Sequence, residues 1–184
     1  NFFSFQSENR GGGFRFGKAL GEYDWAGLKY RFEKVEVSNV NPDFVTTFLF
    51  NGQRTTSRIT PSYIWDSRDN ILNPSTGWRH KVSVDIGGLG GIKFFRSNYE
   101  ITYYRPIFWN LIFAAHGEIG IADSYGDDVL PIFEHYFMGG ANSLRGYTIR
   151  QVGPRDGTGN PIGGKDLLLF NLEILYPIGQ TFRV

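Results

Sequence analysis

The chain's three histidines, His80, His116 and His135, fall in separate segments and make no spacing that would gather metal ligands. His116 and Glu118 are two apart, which on a strand puts them on a common face and reads as a polar ladder, not an acid–base pair. Ser4, Ser67 and Ser143 lie outside any Gly-x-Ser-x-Gly elbow. Gly11-Gly12-Gly13 and the Gly87–Gly91 run precede no helical pattern that would offer a phosphate its N-terminus. No catalytic residue, cofactor-binding residue or metal ligand is therefore nominated, no cofactor is implied, and the chain reads as a non-enzyme. The chemistry that stands out is recognition by charge. In Gly139-Gly140-Ala141-Asn142-Ser143-Leu144-Arg145-Gly146-Tyr147, one arginine sits between small residues and an aromatic, after two glycines that allow a tight turn. A guanidinium can hold a carboxylate through two parallel hydrogen bonds. A second constellation, Asp66-Ser67-Arg68-Asp69-Asn70, gives Asp66 and Arg68 one parity, while Asp69 and Asn70 can cap a turn with their side chains.

The elements that must position these residues are strands, because period two dominates the chain. Leu28, Tyr30 and Phe32 alternate with Lys29, Arg31 and Glu33. Ile59, Pro61, Tyr63 and Trp65 oppose Arg58, Thr60, Ser62 and Asp66. Trp78, Val82, Val84 and Ile86 oppose Arg79, Lys81, Ser83 and Asp85; Phe95, Tyr99, Ile101 and Tyr103 oppose Arg96, Asn98, Glu100 and Thr102. Further on, Leu111, Phe113, Ala115, Ile119 and Ile121 alternate with Ala114, His116, Glu118 and Gly120. Last, Leu168, Phe170, Leu172, Ile174 and Tyr176 alternate with Asn171 and Glu173. Strands of about ten residues suit a tilted crossing of a bilayer better than a small globular sheet. Short turns near Gly21, Asp66–Gly77, Phe108 and Pro177 alternate with longer connections at Ser38–Gln53, Gly87–Ile92 and Ala122–Gly164, as periplasmic turns alternate with extracellular loops in outer-membrane barrels. Asn41-Pro42-Asp43 marks a loop, and Phe44–Phe50 reads as a possible strand extension.

Composition agrees with that class and narrows the partners. Aromatics are 17% of the chain and glycines number 24, a pairing that favours strands and tight turns. The formal net charge of +1 argues for no nucleic-acid partner. No cysteine is present, which excludes disulfides and thiolate metal sites. A mean hydropathy of -0.27 is compatible with a membrane barrel, where only alternate residues face lipid. A soluble β-sandwich would also alternate, but charges in nearly every strand and aromatics near strand ends favour a wet lumen and interfacial girdles. The fold class predicted is all-β: about seven strands of an antiparallel transmembrane β-barrel, one partial barrel domain over 1–184. Two open edges would leave unpaired backbone groups in lipid, so a larger barrel is expected around them.

Gly139-Gly140, Leu144-Arg145-Gly146-Tyr147 and Gly153-Pro154-Arg155-Asp156 together resemble the signature loop of the Omp85 superfamily. The resemblance extends to Asp66–Asn70 with Asn73-Pro74 and Gly77-Trp78, to Tyr103-Tyr104-Arg105-Pro106, His116-Gly117-Glu118 and Asn171-Leu172-Glu173. Leu144 departs mildly from the valine more frequent there. The resemblance implies a sixteen-stranded barrel of the bacterial outer membrane, with periplasmic POTRA domains and terminal strands that are absent from this chain. It implies that the loop over about 122–164 folds into the lumen, where Arg145 meets an inward acid on a neighbouring strand; Glu173 has the right parity. The implied function is folding and inserting β-barrel proteins, with outer-membrane lipids, unfolded β-barrel clients and accessory assembly lipoproteins as partners. A polypeptide-secretion pore of the same superfamily, such as a two-partner secretion translocator, is the alternative.

Overall fold

The computed structural model describes residues 6–38, 52–157, 159–178 and 182–183. Asn41-Pro42-Asp43 and the expected Phe44–Phe50 extension lie outside these residues. Seven strands follow one another in space as in sequence: β1 Gln6–Ala19, β2 Asp24–Ser38, β3 Gly52–Asp66, β4 Gly77–Gly87, β5 Phe94–Pro106, β6 Ile112–Ser124 and β7 Asp166–Leu175. Every neighbouring pair is antiparallel, so the sheet is a simple meander. A small hairpin of β8 Pro177–Ile178 with β9 Phe182–Arg183 stands apart from it. No helix among the described residues is long and apolar enough to cross a membrane.

The period-two reading holds along the sheet. Phe14, Phe16, Leu28, Phe32, Trp78, Val82, Ile86, Leu168, Phe170, Leu172 and Ile174 are all exposed and share the apolar parity. Strand ends move by a few residues from the sequence reading: β1 starts at Gln6 and β6 runs to Ser124, so the long connection begins at Tyr125. Pro61 lies inside β3, and the ladder with β4 pairs Ile59 with Ile86 and resumes at Ser62 with Ser83. A proline has no N–H to donate, so a gap in the ladder there is the expected accommodation.

The opposite face carries the charges, and on it the structure departs from expectation. At the end of the sheet nearest the long connection this face is apolar and dry: Ile92, Phe94, Ala122 and Leu167 join Leu130 and Tyr136 of the connection in the buried cluster, with Phe133 and Met138 packed on it. A wholly wet face would have no use for these residues. They serve because the connection covers them.

Candidate functional site

The short-turn end is built as expected. Arg68 grips Asp66 with both limbs, Nε to Oδ1 at 2.7 Å and Nη2 to Oδ2 at 2.6 Å. Asp69 Oδ1 accepts the backbone N–H of Ser75 at 2.8 Å and of Thr76 at 3.1 Å, and Asn70 Oδ1 accepts those of Leu72 and Asn73. Gly77 closes the turn at a φ of 107°, where a Cβ would also collide with the Ser67 carbonyl. These contacts lie within the connection between β3 and β4 and tie its backbone together.

At the other end, residues 125–165 fold back over the charged face. The path is an irregular hairpin: Tyr136 exchanges both backbone hydrogen bonds with Gly164, and Val152 donates to the Met138 carbonyl at 3.0 Å. Arg150, at a φ of 61°, lays its guanidinium 4.0 Å from the Phe137 ring centre. Its root is a short 3-10 turn, η1 Ile132–Glu134. Tyr136 stands where Gly120 of β6 leaves room; a Cβ there would lie 2.6 Å from the ring's Cζ. The phenol donates to the Ser97 carbonyl at 2.8 Å and lies 2.5 Å from Asn98 Oδ1, while Arg96 sits 4.4 Å from the ring centre.

Glu134 is the residue that sequence reasoning missed. Its side chain is 2% exposed. Arg58 Nη1 of β3 donates to its Oε2 at 3.1 Å, and Arg96 Nη1 of β5 lies 3.9 Å away. Arg58 also reaches Glu33 of β2 at 3.1 Å and Asp85 of β4 at 3.8 Å. Burial pushes the Glu134 carboxyl above its ordinary range, and the two guanidinium groups oppose that push. Beside it, burial holds the His135 imidazole below its ordinary value although its Nδ1 is hydrogen-bonded to the Ile162 carbonyl at 2.8 Å.

The predicted motif forms the tip. Gly139 and Gly140 adopt φ of 111° and 94°, and Gly140 N–H donates to the Tyr147 carbonyl at 3.0 Å to close it. At Gly139 a Cβ would strike the Thr148 carbonyl, so glycine is required twice over, by φ and by space. Arg145 Nη2 lies 3.1 Å from Glu173 Oε1, so the structure brings the two expected residues together. The arginine side chain nevertheless stays 74% exposed and the glutamate 35%. Leu144 lines the same space, whereas Tyr147 is exposed. Beneath the tip, Thr102, His116, Asn171 and Glu173 line an open cavity of about 600 Å³. Among the described residues no group of three or more acids and histidines could hold a metal ion.

Comparison with known proteins gives this arrangement a context. The Omp85 superfamily domain matches residues 1–184. The chain is 28% identical over 180 residues to the outer membrane protein assembly factor BamA of Nitratidesulfovibrio vulgaris, covering 95% of this chain and 23% of that protein. It is 25% identical to BamA of Neisseria meningitidis serogroup B, with 95% and 24% covered. To the human sorting and assembly machinery component 50 homolog it is 24% identical, with 72% and 30% covered. The crystal structure of BamA from Haemophilus ducreyi lacking POTRA domains 1–3 shares the fold, with a TM-score of 0.82 at 20% identity over 96% of this chain and 38% of that one. The chain thus spans less than a third of the length of these curated relatives. The seven-stranded meander is a section of an outer-membrane β-barrel, and the chain belongs to the Omp85 superfamily.

Proposed function

We propose that this chain is part of a bacterial outer-membrane assembly factor that folds and inserts other β-barrel proteins, and that residues 125–165, an extracellular loop, lie in the barrel lumen and brace its wall. The observation that carries the reading is the attachment of the motif tip to β7, Arg145 to Glu173 at 3.1 Å and Asn171 Nδ2 to the Ser143 carbonyl at 3.0 Å. A tip held on the charged face keeps the wall's shape while that face stays accessible to water. The assembly factors among its relatives support the functional class. The bacterial placement is favoured because the bacterial BamA proteins match more of the chain than the human sorting and assembly machinery component does: 95% against 72%.

In this reading an incoming client strand adds to an exposed sheet edge through main-chain hydrogen bonds, in a bilayer whose local thickness matches the wall. The process is non-covalent, and its partners are outer-membrane lipids, unfolded β-barrel clients and accessory lipoproteins. The test is replacement of the chromosomal protein by a full-length Arg145→Ala variant. Client barrels should accumulate unfolded in the periplasm while the variant itself still reaches the membrane. Normal client levels with that variant would overturn the bracing role.

A further inference from the structure

The loop is attached at two places of very different burial. At the root, Leu130, Ile132 and Tyr136 are buried, and Glu134 meets Arg58 at 3.1 Å and Arg96 at 3.9 Å with 2% of its surface exposed. Arg58 passes the connection on to Glu33 and Asp85, so one loop carboxylate is tied to β2, β3, β4 and β5 together. Phe94 lies under the Arg58 guanidinium at 5.7 Å and Tyr136 under that of Arg96 at 4.4 Å, aromatic faces that shield both cations from water. At the tip, Arg145 and Glu173 form an ion pair with the arginine mostly in solvent, where such pairs contribute little. Between root and tip stand Gly139 and Gly140, both at positive φ. The Gly140–Tyr147 hydrogen bond closes the tip on itself, so that it can move as a unit.

We propose that Glu134 is the positioning residue that fixes the loop to the barrel wall, with Arg58 and Arg96 as its sockets, and that Gly139-Gly140 is the hinge about which the Arg145 tip leaves Glu173 while the root stays clamped. This deepens the bracing role proposed above and rests on it. Removing one member of a buried charge set leaves its partners uncompensated, whereas releasing the tip gives up a solvated ion pair and the Asn171–Ser143 hydrogen bond, a smaller cost. The loop therefore opens in a fixed order, tip first. A carboxylate shortened by one methylene keeps the charge that the two guanidinium groups need.

The test is peptide-level hydrogen exchange on the full-length protein in lipid nanodiscs. In wild type, amides of 132–136 should exchange at least about tenfold more slowly than those of 141–147. Arg145→Ala should accelerate the tip alone. Glu134→Gln should accelerate the root by about tenfold or more, the scale of a lost charge-assisted hydrogen bond, and Glu134→Asp should restore most of the protection. Root exchange unchanged in Glu134→Gln would overturn the proposal. So would equal wild-type rates for root and tip, a comparison that stands even if the variant does not insert. Client insertion read in parallel separates this idea from the functional one. A Glu134→Gln protein with a freed root and normal insertion keeps the clamp and sinks the bracing role.

Discussion

Asn171 and Glu173, two residues apart on β7, hold one loop tip from the same face of the strand: Asn171 Nδ2 donates to the Ser143 carbonyl at 3.0 Å, and Glu173 Oε1 meets Arg145 Nη2 at 3.1 Å. The two contacts differ in kind. The amide takes up a backbone carbonyl in partly buried surroundings, while the arginine keeps 74% of its surface in solvent. A double-mutant cycle on Arg145→Ala and Glu173→Gln should return a coupling below about 1 kcal/mol in urea unfolding of the full-length barrel. Asn171→Ala alone should cost about 1 kcal/mol. A coupling of several kcal/mol would mean that the pair is drier in the whole barrel than in this chain.

Tyr136 and Gly120 test the docking of the root from the wall side. Gly120→Ala places a methyl where the phenol ring now sits, 2.6 Å from its Cζ, and the hydroxyl is pinned by Ser97 and Asn98. The ring cannot back away without breaking those bonds. The substitution should undock residues 130–138, with heat-induced mobility shifts of the barrel on gels moving to lower temperature. Tyr136→Phe keeps the packing and loses only the hydroxyl contacts, costing about 1–2 kcal/mol. Gly120→Ala should therefore be the more damaging of the two. The reverse order would show that the glycine gap is not what seats the ring.

The strands were legible because a wall with lipid on one side and charge on the other leaves a plain alternation, as in Leu168, Phe170, Leu172 and Ile174 against Asn171 and Glu173. The Arg145–Glu173 contact was reached through family resemblance plus that parity; neither residue type alone would have singled it out. Glu134 was out of reach because its partners are far away in sequence and the segment around it has no period. One signal did exist. Phe94, Ala122, Leu167 and Leu169 occupy the charged parity at the loop ends of β5, β6 and β7, and all are buried. Apolar residues on the wet face announce a cover, and among the described residues the long connection supplies it.

The β3–β4 turn offers a check at the opposite end. Asp69 satisfies the N–H groups of Ser75 and Thr76 and accepts the Ser75 hydroxyl at 2.5 Å. Its carboxyl sits below the ordinary range: partial burial alone would raise it, but these donors together outweigh that. Asp69→Ala should destabilise the barrel by about 1–2 kcal/mol, comparable to loss of a helix cap. Gly77→Ala should cost more than about 1 kcal/mol, since φ is positive and the Ser67 carbonyl blocks a Cβ. Refolding yield into detergent micelles, read against urea, distinguishes both from wild type. Neither change should alter exchange of the distant loop.

The root should loosen in mild acid, and His135 sets the direction. Burial keeps its folded-state pKa below the ordinary 6.5, with the Ile162 and Leu130 carbonyls opposing and Lys165 adding to the depression. The unfolded loop therefore binds a proton first. The stability that neutral His135 contributes is complete above about pH 6.5 and is lost as pH falls through the lower folded value. The His135 contribution is isolated by His135→Asn, which retains a donor near the Nδ1 position and has no titration. Between pH 7.5 and 5.5, hydrogen exchange of 132–136, corrected for intrinsic rates, should accelerate in wild type and stay level or slow in the variant. Equal acceleration in both proteins would place the sensitivity elsewhere.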